Sequence, residues 1–101
     1  MDETSGADTV TLEGELDLAN RPMLEERFQR LAHVGVLTVD LSKVTYLDSS
    51  VLTILVNVWK ARKNTEGSMR IIPSNSLAVQ RVFSVTTLDR TLPFVKASEQ
   101  I

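Results

Sequence analysis

Strand-like and helix-like segments alternate along this chain, and the alternation narrows its possible folds more than any other feature. Thr9-Val-Thr-Leu-Glu13 places Val10 and Leu12 on one face of a half-buried strand, and Leu16 and Leu18 keep that parity beyond Gly14, which marks a bend or bulge. Asn20 offers a cap and Pro22 suits a first helical turn; Leu24, Phe28 and Leu31 then recur at helical spacing before Gly35. Val36–Leu41 reads as a second, central strand. A short connection, Ser42–Leu47, leads to a long helix that ends near Asn64, with Asp48 or Ser49 as its cap. Met69–Ile72 is a third strand stopped by Pro73. Ser74, Asn75 and Ser76 are capping candidates for a short helix with Val79, Val82 and Phe83 on its apolar face. Thr91–Val95 is the last strand, and Pro93 confines it to an edge or a bulge. The order β-α-β-α-β-α-β predicts an α/β domain with a largely parallel sheet and right-handed crossovers.

With 101 residues and 11.2 kDa, the chain makes one domain. Residues 9–96 are expected to form it, residues 1–8 to be a flexible N-terminal tail and residues 97–101 a C-terminal tail. A net charge of -2 supplies no basic face for duplex nucleic acid; Lys60, Arg62 and Lys63 form only a short cluster. The absence of cysteine removes thiol chemistry, and one histidine, His33, cannot build a metal site alone. No cofactor or metal is therefore expected. No apolar run approaches the roughly 18 residues of a membrane span, so no direct membrane insertion is expected.

The stretch Val51–Trp59 is apolar nearly all round, whereas a surface helix of a small domain needs one apolar stripe. Leu52, Leu55, Val56 and Trp59 share a side and are expected to face the sheet. Ile54 and Val58 point elsewhere, beside Thr53, Asn57 and Ala61. Either the domain's own elements cover both faces, or Ile54 and Val58 form an exposed patch for a partner; in so small a domain the second is preferred. Asp48-Ser49-Ser50, at the start of this helix, is explained from spacing alone as an N-cap. A serine hydrolase at Ser49 is the least favoured reading, because no base is placed near it and no Gly-x-Ser-x-Gly occurs. His33 fits a helix end, and Glu13, Glu15 and Asp17 fit a solvated strand face.

Together these residues resemble the STAS domain, the family named for sulfate transporters and anti-sigma factor antagonists. Gly14-Glu15-Leu16-Asp17 is similar to its early strand-to-helix motif. Val39-Asp40-Leu41-Ser42 followed by Tyr46-Leu47-Asp48-Ser49-Ser50 resembles its strand, turn and phospho-acceptor loop. Asn75 through Phe83, then Leu88-Asp89-Arg90, resembles its third helix and the turn into the last strand. The resemblance implies about four strands with helices chiefly on one face. It implies a stand-alone anti-sigma factor antagonist, a cytoplasmic bacterial regulator of transcription and not an enzyme. Its implied partners are an anti-sigma factor that is also a serine kinase, and a serine phosphatase. Phosphorylation would fall on Ser49, with Ser50 as the alternative, and partner contacts on Asp48, Ser49, Ser50, Val51, Thr53, Ile54, Asn57, Val58 and Ala61. A different implied role is an adaptor subunit of a membrane lipid-transport ATPase. Three departures stand out: Val51 where the loop usually has Gly, Thr87 where a Gly often precedes the leucine, and no evident counterpart of a further N-terminal strand.

Overall fold

A computed structural model describes residues 5–64 and 67–95. The elements are β1 (Ser5–Leu16), a 3-10 turn (Leu18–Asn20), α1 (Arg21–Arg30), β2 (Val34–Leu47), α2 (Ser49–Lys63), β3 (Ser68–Ile72), α3 (Leu77–Val85) and α4 (Leu88–Thr91). The sheet order is β1-β2-β3, and both pairings are parallel. The central strand is the expected one.

Register explains why one face of this sheet is covered. Val10 pairs with Val39 and Val39 with Ile71, and all three are buried. The next row, Thr11, Asp40 and Ile72, and the row Thr9, Thr38 and Arg70 lie on the opposite face, exposed or half-buried. A period of two thus sends every second side chain into a single core with Leu24 and Phe28 of α1, Leu55 of α2 and Val79 and Phe83 of α3.

β2 carries two extra residues. Asp40 to Lys43 opposes Thr11 to Glu13, and Val44 to Tyr46 opposes Gly14 to Glu15. Each bulge shifts the inward parity by one, so the buried positions run Leu37, Val39, Leu41, Val44 and Leu47. Ser42–Leu47, expected as a connection, is therefore strand. Gly14, at the second irregularity, has φ +76, a conformation that a side chain would strain.

Other expectations change as well. β1 begins at Ser5, so residues 5–8 belong to the strand instead of the expected tail; residues 1–4 and the expected C-terminal tail lie outside the described residues. Leu18 does not continue the strand's buried face but is 62% exposed, because the chain turns after Leu16. Asn20 turns its side chain back to accept from the Asp17 N–H at 2.9 Å instead of capping α1. The expected fourth strand shrinks to one bridge between Ile71 and Phe94. α4 occupies residues through Thr91 and Pro93 has no N–H, so pairing is limited to Ile71 N–H donating to Pro93 O and Val95 N–H donating to Ile71 O, both at 2.9 Å. Phe94 still joins the core through an edge-to-face contact with Phe83, with centroids 4.9 Å apart. Among the described residues, no helix is long and apolar enough to cross a membrane.

Arg62 replaces the expected surface cation with an internal clamp. It is 5% exposed. Its guanidinium donates to Ser68 O at 2.9 Å, Gly35 O at 3.2 Å, Leu31 O at 3.4 Å and Val34 O. One side chain on α2 thus satisfies carbonyls at the end of α1 and at the starts of β2 and β3.

Candidate functional site

All three strands run the same way, so their carboxyl ends gather at one edge of the sheet. β1 and β2 end together there, at the paired Leu16 and Leu47, and α2 starts just beyond; β3 stops shorter, with Ile72 opposite Asp40. Asp48 N–H donates to Leu16 O at 3.2 Å, tying the two strand ends together. Asp48 is the N-cap of α2, with extended backbone (φ -96, ψ 177). Its Oδ1 accepts from Ser50 Oγ at 2.6 Å, Ser50 N–H at 3.0 Å and Val51 N–H at 3.3 Å. The Ser50 hydroxyl does most to hold this carboxyl below the ordinary aspartate range; the N–H groups of Val51, Ser50 and Leu18 add to it, against a smaller opposing effect of burial.

This cap separates the two candidate serines. The Ser50 hydroxyl is committed to Asp48 and half-buried. Ser49, the first helical residue, is exposed, and its hydroxyl makes no hydrogen bond among the described residues; only its carbonyl is engaged, by Thr53 Oγ1 at 3.0 Å. Val51 sends its bulk into the core at 1% exposure, so the β-branched residue in the usual Gly position stands clear of the Ser49 surface.

The helix is turned from the orientation that the sequence predicts. Its most buried side chains are Val51 and Leu55, flanked by Leu52 and Ile54, while Val56, Val58 and Trp59 are half-buried. Ile54 is 7% exposed, which corrects its expected place on a free patch. α1 lies against α2 on that side. Between them runs a groove of about 510 Å³, lined by Phe28, Ile54 and Val58, with Thr53, Asn57 and Ala61 exposed along its α2 rim and Ser50 at its upper end. Arg21 and Glu25 of α1, paired at 2.9 Å, form part of the opposite rim and went unnoticed in the sequence.

Also missed are three exposed apolar residues at the same edge of the sheet: Leu18 (62%), Tyr46 (51%) and Leu77 (74%). Tyr46 sits on the far parity of β2, and Leu77 opens α3 after a loop fastened to β2 by Ser74 Oγ donating to Val44 O at 2.6 Å. Adjacency to the Asp48 loop was the one sequence signal available for Tyr46.

Among the described residues, no imidazole stands within reach of Ser49. The one imidazole, His33, precedes β2 and Ser49 follows it, so the strand's 14 residues put on the order of 40 Å between them. Among the described residues no group of three His, Cys, Asp or Glu side chains could hold a metal ion.

Comparisons with known proteins agree with this geometry. The family model described as "Mlab, STAS domain" matches residues 1–96. The anti-sigma-B factor antagonist of Bacillus subtilis (strain 168) is 32% identical over 91 residues, covering 89% of this chain and 83% of that protein. The crystal structure of an anti-sigma factor antagonist from Mycobacterium paratuberculosis superposes with a TM-score of 0.80 at 27% identity, over 94% of this chain and 81% of that one. SpoIIAA in its unphosphorylated form, at 16% identity, shares the fold with a TM-score of 0.76, over 94% of this chain and 84% of that one. With its parallel sheet, its Asp-capped α2 and its exposed serine at the carboxyl edge, the chain belongs to the STAS domain family.

Proposed function

We propose that this protein is a bacterial, cytoplasmic anti-sigma factor antagonist that binds an anti-sigma factor/serine kinase through the Ser49 end of α2 and is switched off by phosphorylation of Ser49. The observation that carries the reading is the division of labour in the cap: the Ser50 hydroxyl is locked to Asp48, and the Ser49 hydroxyl is exposed and makes no hydrogen bond among the described residues. The relatives named above, anti-sigma factor antagonists by description, support the partner class.

The exposed edge supplies what a partner needs. Leu18, Tyr46 and Leu77 offer apolar surface at the edge that bears Ser49, and Thr53, Asn57 and Ala61 offer the exposed rim of α2, with half-buried Val58 in the groove beside them. An interface that buries Ser49 tolerates a neutral hydroxyl. Phosphate adds roughly -1.5 to -2 charge, moving the net charge from -2 to about -4. A solvated dianion would have to shed water among these apolar groups, which disfavours binding.

Phosphorylation does not melt the helix. A phosphate at its first residue meets the positive end of the helix dipole. The Ser50 and Val51 N–H groups already donate to Asp48, so the phosphate neither rescues nor removes a cap. The modified protein keeps its fold and loses its partner; a serine phosphatase restores binding.

The test is incubation with the cognate kinase and ATP, mapping of the product by mass spectrometry, and measurement of binding to the anti-sigma factor. Phosphate on Ser49, constitutive binding by Ser49→Ala and weakened binding by Ser49→Asp are expected. Binding with no phosphate on Ser49, or Ser49→Asp binding as tightly as the parent, removes the switch and moves the chain to the adaptor reading.

A further inference from the structure

The face of the sheet turned away from the helices is a second surface. We infer that it joins two copies of this chain in a symmetric dimer, with Arg70 of each copy over Asp40 of the other. α1, α2 and α3 all send their buried residues into the core on one side of the sheet. On the other side Thr9, Thr11 and Arg70 are exposed, Val36 is 38% exposed, and Thr38, Asp40 and Ile72 are half-buried. Parallel sheets are ordinarily covered on both faces. Most side chains on this side are β-branched, so they form a level surface suited to packing against another sheet.

Register makes the surface self-complementary. Thr38 pairs with Arg70, and Asp40 pairs with Ile72. These residues mark the corners of a near-square, about 4.8 Å across the strands and about 6.6 Å along them. A two-fold axis laid along the Thr38–Ile72 diagonal exchanges the other two corners. Ile72 then meets Ile72 and Thr38 meets Thr38, while each Arg70 stands opposite the Asp40 of the other copy. The strands of the two sheets cross at roughly 70°, near the orthogonal class of sheet packing. At a sheet separation of about 10 Å, two isoleucines touch and a guanidinium spans the gap to a carboxylate.

Charge permits the pairing. Among the described residues Arg70 makes no ion pair within its own chain. Asp40 accepts from Ser42 N–H at 2.9 Å through Oδ1, which leaves Oδ2 for a guanidinium. Lys43 and Glu13, exposed and paired in register, balance each other, so two copies meet without net repulsion. An overlap about 20 Å on a side buries on the order of 800 Å² in total, the range of weak, concentration-dependent association. The face lies across the sheet from α2, so the dimer leaves the Ser49 end free.

Sedimentation equilibrium of the full chain, from about 10 µM to about 1 mM, tests the dimer; a Kd of about 0.1 mM is expected. Arg70→Glu and Asp40→Lys, each checked by circular dichroism, should each weaken self-association at least about tenfold, because like charges then face each other. An equimolar mixture of the two variants restores both opposite-charge pairs and should associate about as tightly as the parent. Asp40 also serves Ser42, so Ile72→Lys, which sets two cations against each other on the axis, is the second disrupting variant should Asp40→Lys fail to fold. Each of the following overturns the inference: no self-association up to about 1 mM, which leaves the face to a different protein; Arg70→Glu or Ile72→Lys associating as the parent does; or a mixture of folded charge variants no tighter than its components.

Discussion

Thr87 is the one described non-glycine residue with positive φ (φ 59, ψ 11), and replacing it tests how well backbone strain can be read from this structure. Its backbone is held from both sides: its N–H donates to Ser84 O at 3.1 Å, and its carbonyl accepts from Arg90 N–H at 3.2 Å and from Thr91 Oγ1 at 3.3 Å. The exposed side chain makes no hydrogen bond that would be lost. A left-handed conformation costs a residue with a Cβ roughly 1–2 kcal/mol, and β-branching keeps threonine at the upper end. Thr87→Gly removes that cost but adds unfolded-state freedom worth roughly 0.5–1 kcal/mol, leaving a gain near 1 kcal/mol. In a domain of this size that raises Tm by about 4–8 °C. Thr87→Asn should gain part of this, because asparagine tolerates the left-handed region; Thr87→Ala, which keeps a Cβ, should gain least. Thermal and urea unfolding followed by circular dichroism measure the series, with the midpoint moving and the slope unchanged. A glycine variant no more stable than the alanine variant would refute the reasoning.

Arg62→Met should lower stability by about 3 kcal/mol or more, since several carbonyls lose the donor that a buried guanidinium supplies, and Arg62→Lys should not restore it because an ammonium lacks the planar fork; urea midpoints decide both. Ile54→Asp should unfold the domain or cost at least about 3 kcal/mol, whereas Asn57→Asp on the exposed rim should leave the unfolding midpoint nearly unchanged. Asp48 has a carboxyl pKa lowered by folding, so its stabilising contribution is full above its ordinary value of 3.8 and is lost as pH falls through the folded value. Tm of the parent should therefore drop more steeply below that pH than Tm of Asp48→Asn, and parallel curves would count against the cap geometry.

The alternation of strands and helices was legible because Val10 and Leu12, then Leu37, Val39 and Leu41, obey strict periods. The end of β2 was not, because each bulge breaks the period that identifies a strand; Val44 and Leu47 look aperiodic until Gly14 and the paired register explain them. Asp48 and Ser49 were legible because capping is local chemistry. Ile54 was not: whether α1 lies over that side of α2 is decided by packing between segments far apart in sequence. Arg62 was read as one member of a basic cluster, since nothing in Lys60–Lys63 reveals that one of its cations turns inward to collect carbonyls. Thr87 was marked by its departure from a frequent glycine, and its positive φ gives that departure a cost.

The Arg62 clamp also has a consequence for kinetics. Among the described residues it donates to carbonyls of residues 31–35 and of Ser68, which precede and follow in sequence the helix that carries it. A guanidinium leaves water at low cost only when those acceptors are already positioned, which requires β2 and β3 to have aligned first. The clamp therefore closes late, on the native side of the folding barrier, and works as a latch. Its loss should quicken unfolding while leaving the refolding rate nearly untouched, so that in a chevron plot of Arg62→Met the unfolding arm moves and the folding arm stays in place.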